Sequence, residues 1–172
     1  MSSSLLSAIE NFNPNNIDSL SILISTLSPE EINKTGPKPF GRTALHLACK
    51  NSLPIMVIKM LIDNGADINC FTSPHQFTPF YLAVQSNNIT NIQNFLTDLT
   101  CHVNEVDLGG MTPLIMACCN TNVLKSTIIF LLESERIDRF IKDSVTKRNA
   151  LEWARDKGRK DIEEVFSNLN AE

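Results

Sequence analysis

The sequence predicts an all-α solenoid of about five helix–turn–helix units stacked in a row. Two markers and a spacing pattern predict it. TALHLA (43–48), TPFYLA (78–83), TPLIMA (112–117) and NALEWA (149–154) recur at steps of 35, 34 and 37 residues. An aliphatic residue followed by Asn or Asp recurs in the same order, at Ile32-Asn33, Ile68-Asn69, Val103-Asn104 and Ile137-Asp138, in steps of 36, 35 and 34. Between the markers, apolar residues return at helical spacing.

The elements follow in chain order. In residues 1–29, Leu5, Leu6, Ile9 and Phe12 fit one face of a short helix, and Ile17, Leu20, Ile24 and Leu27 fit a second. Asn-Pro-Asn-Asn (13–16) breaks between them. Each later unit opens on Thr43, Thr78 or Thr112, whose hydroxyl can satisfy an orphan N–H at a helix start. Pro79 and Pro113 follow at the first helical position, where a missing N–H costs little. A break comes after about two turns, at 52–54, 87–88 and 120–122. A second helix then carries an apolar stripe, expected in the first of these units at Ile55, Ile58, Leu61 and Ile62. Asn64-Gly65 closes it, because glycine tolerates the left-handed cap. At the far end, Ile162, Val165, Phe166 and Leu169 form a single stripe beside Lys160, Asp161, Glu163 and Glu164, as a capping unit requires. The expected repeats are 1–29, 30–64, 65–100, 101–135 and 136–170, one domain spanning 1–172.

These units resemble ankyrin repeats, whose pattern runs G-x-T-P-L-H-x-A, a second helix, then G-A-D-V-N. GRTALHLA (41–48) and NGADIN (64–69) match closely, FTPFYLA and GMTPLIMA match well, and NALEWARDKG (149–158) matches loosely, as a terminal repeat would. The resemblance covers residues 30–170. It implies a non-catalytic module that binds a protein or peptide through its turn tips and the concave face of its first helices. It also implies a buried, structural His46, bonded to Thr43 and to nearby turn backbone.

Composition sets the outer limits. The chain has 172 residues, 42% hydrophobic and 20% charged, with a net charge of −4. No apolar run approaches the ~20 residues that span a bilayer. The start MSSSLLSAIE has no basic region and no long apolar stretch, so a cytoplasmic or nuclear monomer that keeps its thiols reduced is expected. The five cysteines show no CxxC spacing, and neither a disulfide framework nor a metal site is indicated. Cys118 and Cys119 are expected to divide between helix interface and surface. No cofactor is implied.

Two further readings compete with the interaction module. GPKPFGRT (36–43) almost spells a phosphate-binding loop. Pro37 and Pro39 remove two N–H donors from it, however, and Arg42 stands where lysine is needed. The basic residues of 136–148 suggest a nucleic-acid binder, but five basic and three acidic residues leave ERIDRFIKDSVTKR (135–148) a surplus of only +2.

The candidate binding residues lie at the turns. Arg42, Phe77, Met111 and Arg148 directly precede the first-helix caps and should form one row. Phe71 and Leu108 lie in the neighbouring turns, and Tyr81 occupies the position of His46. Turn tips usually carry small polar residues, so these side chains either fold back on the core or wait for a partner. The charges between 64 and 132 are only Asp67, Asp98, Glu105, Asp107 and Lys125, which suits apolar anchoring better than phosphate contacts. The longer turns near 34–40 and 139–147 are expected to project as fingers.

Overall fold

The computed structural model describes residues 4–37 and 39–169. Residues 1–3 and 170 of the expected terminal repeats, and Lys38 of the loop-like stretch, lie outside them. Among the described residues there are eleven α-helices and no strand. Ten form five consecutive pairs: α1 (Ser4–Glu10) with α2 (Ile17–Thr26), then α4 (Ala44–Lys50) with α5 (Ile55–Asp63). The remaining pairs are α6 (Pro79–Gln85) with α7 (Ile89–Thr97), α8 (Pro113–Cys119) with α9 (Lys125–Leu132), and α10 (Ala150–Asp156) with α11 (Lys160–Leu169). The odd one, α3 (Pro29–Ile32), is a single turn between the first two pairs. It forms because Ser28 and Glu31 cap one another's backbone N–H, a local SPEE signal that the repeat markers do not capture.

First helices start where the sequence places them. The side-chain oxygens of Thr43, Thr78, Thr112 and Asn149 accept the backbone N–H three residues on. The residue at that third position answers in two copies, where His46 Nδ1 and Glu152 Oε2 accept the N–H of Thr43 and Asn149. First helices then pack side by side, α1 on α4, α4 on α6, α6 on α8 and α8 on α10. The second helices form a parallel layer, with α2 on α5, α5 on α7 and α9 on α11.

Each unit leaves an apolar face that only its neighbours can cover, so the core is continuous along the stack. Leu45, Ile58, Leu61, Phe80, Phe95 and Leu114 are fully buried, and Phe80 meets Phe95 edge-on at 6.0 Å between ring centroids. The stripe on α5 is rotated from expectation. Val57, Ile58 and Leu61 are buried, while Ile55 and Ile62 are half-buried. In a continuous apolar run such as IMVIKMLI several stripes fit the spacing, and packing against the neighbouring helices selects one. Gly65 ends α5 at φ +94°, with its N–H and that of Ala66 bonded to the Ile62 and Leu61 carbonyls.

The Asn of the second marker has a clear job. Asn69 donates Nδ2–H to the Thr100 carbonyl and accepts the His102 N–H, each at 2.8 Å. Asn33 bridges Gly65 and Asp67 in the same way, and Asn104 bridges Arg136 and Asp138. A primary amide is needed because the next unit presents one acceptor and one donor together.

Candidate protein-binding surface

Each turn is built by the same device. The backbone N–H of Gly36, Thr72, Asp107 and Asp143 donates to the carbonyl of Arg42, Phe77, Met111 and Arg148, closing a loop just before the helix cap. Immediately before those four carbonyl-bearing residues stand Gly41, Gln76, Gly110 and Lys147, all left-handed at φ between 49° and 76°. Side chains reinforce the closure. Thr72 Oγ1 accepts from Phe77 N–H, and Asp107 Oδ1 accepts from Gly109 and Met111. Asp143, 2% exposed, accepts from Val145, Thr146, Arg148 and the Trp153 indole. The loops are also joined to each other: Ser73 N–H bonds to Phe40 O, Leu108 N–H to His75 O, and Ser144 N–H to Gly109 O. The long turns at 34–40 and 139–147 therefore sit inside a hydrogen-bonded row and do not project alone.

The predicted contact residues divide once placed. Phe71 is 48% exposed and Leu108 65%. Arg42, Phe77, Met111 and Arg148 are half-buried. Phe77 lies between His75, 5.2 Å away, and Tyr81, 4.6 Å away, in a stack that continues to Phe40. Tyr81 itself must be corrected. It is 4% exposed, its ring lies under Phe77, and its hydroxyl donates to Asp107 Oδ2 at 3.0 Å, so it supports the surface from beneath. Arg148 is paired with Asp156 at 2.8 Å and lies over Trp153.

Sequence reasoning missed four exposed apolar residues in the same turns: Phe40, Val106, Phe140 and Val145, at 41, 38, 69 and 77%. Their signal was available, since each falls between an Asn or Asp marker and the next helix cap. With Phe71 and Leu108 they place six large apolar side chains along the row of turns.

The chemistry-bearing residues are occupied by structure. His46 is fully buried; Nδ1 accepts the Thr43 N–H at 3.2 Å, which leaves Nε2 to donate to the Phe77 carbonyl at 2.9 Å. Burial pushes its pKa down to about 4, against the raising effect of the Phe77 bond. Burial likewise holds the thiols protonated, with Cys70 pushed up to about 11 and Cys101 and Cys118 to about 12. Cys118 is buried and Cys119 half-buried, and no disulfide forms among the five. Among the described residues, no group of three or more His, Cys, Asp or Glu side chains could hold a metal ion, and no helix is long and apolar enough to cross a membrane.

The two competing stretches are similarly committed. Gly36 N–H already donates to Arg42 O, and Pro37 and Pro39 have no N–H to offer, so 36–43 lacks three of the backbone donors on which a phosphate cradle would draw. Arg136 spends its guanidinium on the carbonyls of Phe95, Leu96, Asp98 and Cys101, at 2.6–3.2 Å. Together with the Arg148–Asp156 pair, this leaves 136–148 far short of a basic stripe.

Comparisons with known proteins agree with this architecture. A family model described as ankyrin repeats in three copies matches residues 5–107, more than half of the chain. The chain is 40% identical over 72 residues to an ankyrin repeat protein of Acanthamoeba polyphaga mimivirus, a match covering 42% of this chain and 9% of that protein. It is 37% identical over 90 residues to an ankyrin repeat protein of fowlpox virus, covering 49% of this chain and 26% of that one. Over 93 residues it is 34% identical to a Dictyostelium discoideum protein named as a serine/threonine-protein kinase, covering 52% of this chain and 9% of that one. The chain thus spans between 9% and 26% of the length of these relatives. The repeat markers, the paired helices, the bonded row of turns and the family match lead to one conclusion: the chain belongs to the ankyrin-repeat family.

Proposed function

We propose that this chain is an adaptor or inhibitor-like module that binds a protein partner along its row of turns and the adjoining face of the first helices. Ankyrin repeats are in general protein–protein interaction modules, which supports the class of function. The observation that carries the specific reading is the set of exposed apolar side chains at the turns: Phe40, Phe71, Val106, Leu108, Phe140 and Val145. Turns ordinarily carry small polar residues. A row of exposed aromatic and aliphatic groups is the composition of a partner-binding surface. Phe77 and Tyr81 stiffen that surface from below, so little side-chain freedom is lost when it is covered.

The experiment uses a Phe71→Ser/Leu108→Ser variant, because both side chains are exposed and their loss should change stability by no more than ~0.5 kcal/mol each. Leu99→Ser, at a residue 85% exposed outside the turn row, is the control. Affinity capture should lose a partner with the first variant and keep it with the control. Retention by both would move the binding surface elsewhere.

A further inference from the structure

A small pocket of about 210 Å³ opens between α1 and the turn residues next to Arg42, lined by Leu6, Glu10, Pro37, Phe40, Arg42 and Leu47 among the described residues. The Arg42 guanidinium lies 4.3 Å above the Phe40 ring centroid, and its Nε is buried without a hydrogen-bond partner. The buried Nε lies out of a ligand's reach, but the guanidinium carries no ion pair among the described residues, and the natural complement of its other two nitrogens is a planar carboxylate. Arg148, the other arginine of the row, is already satisfied by Asp156. Arg139, near the other end, lies over the Phe140 ring without an ion pair among the described residues, so what sets Arg42 apart is the pocket beside it.

We propose that this pocket takes an Asp or Glu side chain of the partner, with a neighbouring bulky apolar side chain seated against Phe40 and Leu47. The proposal rests on the protein-binding reading above and gives the bound segment a direction, its acid at the α1 end. Three features select a side-chain carboxylate. Phosphates and C-terminal carboxylates are held by clusters of backbone N–H groups. Here Pro37 and Pro39 have none, and Gly36 N–H is bonded to Arg42 O. Glu10 lines the same pocket and disfavours a doubly charged ligand. The apolar walls formed by Leu6, Phe40 and Leu47 provide room for a hydrophobic group.

The test is selection from a random dodecapeptide display library on the full chain, followed by anisotropy titration of the best synthetic binder. Selected peptides should carry Asp or Glu within two residues of Leu, Ile, Met or an aromatic. Arg42→Gln should weaken binding about ten- to a hundred-fold, as loss of a charge-assisted bidentate contact does. Replacing the peptide's acid by its amide should cost the wild type as much and Arg42→Gln almost nothing further. That peptide-side change decides the matter on the wild type even if Arg42→Gln folds poorly. Peptides without an acid, affinity within twofold of wild type for Arg42→Gln, or no selected sequence at all would overturn the proposal. Binding lost in Phe71→Ser/Leu108→Ser but indifferent to Arg42→Gln would sink the pocket and leave the turn-row reading standing. Indifference to both variants would sink both.

Discussion

The Trp153 indole donates its Nε1–H to Asp143 Oδ2 at 3.0 Å, fastening the last turn to the last helix pair. Burial alone would raise the Asp143 pKa, but the hydrogen bonds from Thr146, Trp153 and Arg148 outweigh it and hold the carboxyl well below the usual range. A depressed folded pKa stabilises above the unfolded value of ~3.9, and that stability is lost as pH falls through the folded value. Asp143→Ala should cost on the order of 2–4 kcal/mol at pH 7, because it leaves several N–H donors without their acceptor. The gap to wild type should narrow below about pH 4. Urea unfolding at pH 7 and pH 3 reads both; a gap independent of pH would refute the charge-based account.

His46 sets a second, separate acid window. Its folded pKa of about 4 lies below the unfolded ~6.5, so the unfolded chain binds the extra proton first. The stability due to the neutral ring is complete above about pH 6.5 and declines as pH falls toward 4. His46→Gln retains a side chain able to close the capping box but carries no titrating proton. Its melting temperature should therefore be flatter than the wild type's between pH 7 and 5. Parallel slopes would mean that the ring titrates normally.

The amide bridges predict an asymmetry between chemically similar exchanges. Asn69→Asp removes the donor that meets the Thr100 carbonyl and sets a carboxylate against it, while still accepting from His102. The cost should be about 1–2 kcal/mol. Asp138→Asn, at the fourth marker, should be within ~0.5 kcal/mol of neutral, since the Asp138 side chain accepts only from the nearby Phe140 N–H. Thermal melts of the two single variants make the comparison. Equal effects would show that the bridges carry little.

The left-handed residues before the caps give a prediction of opposite signs. At Gly110, φ is +76°, and an added Cβ would lie 2.5 Å from Ser144 N in the adjoining turn. Gly110→Ala combines backbone strain with a clash against main chain, and should cost at least ~2 kcal/mol. Gln76 holds the same place at φ +59° with a side chain attached. Gln76→Gly should be neutral or stabilising by up to ~1 kcal/mol, the relief of strain offsetting the added freedom of the unfolded chain. Chemical denaturation distinguishes them, and a destabilised Gln76→Gly would show that its side chain makes contacts worth more than the strain.

Most of the stack could be read from the sequence because its signals are local. Thr43, Thr78 and Thr112 cap helices within three residues of themselves, and Asn69 marks its repeat because the bridge it makes needs an amide. The misplaced stripe on α5 had no local solution, since Ile55 and Val57 are equally apolar and only neighbouring helices choose between them. Tyr81 was misjudged for a related reason: its partners, Phe77 and Asp107, belong to different turns. Arg136 reads as a surface cation in sequence, yet its four acceptors lie 35 to 41 residues earlier. The open valence of Arg42 was equally invisible, because an arginine's lack of a partner is a property of the folded surroundings.

The bridges made by Asn33, Asn69 and Asn104 also bear on how the protein answers to force. Each joins a side chain of one unit to backbone 31–34 residues on, so a pull between the two ends loads the junctions in series. When one junction yields, it releases a single unit of about 34 residues, roughly 120 Å of extended chain, while the next still holds. Stretched in this way, the molecule would lengthen in regular steps rather than all at once, and a tethered partner would feel a graded tension.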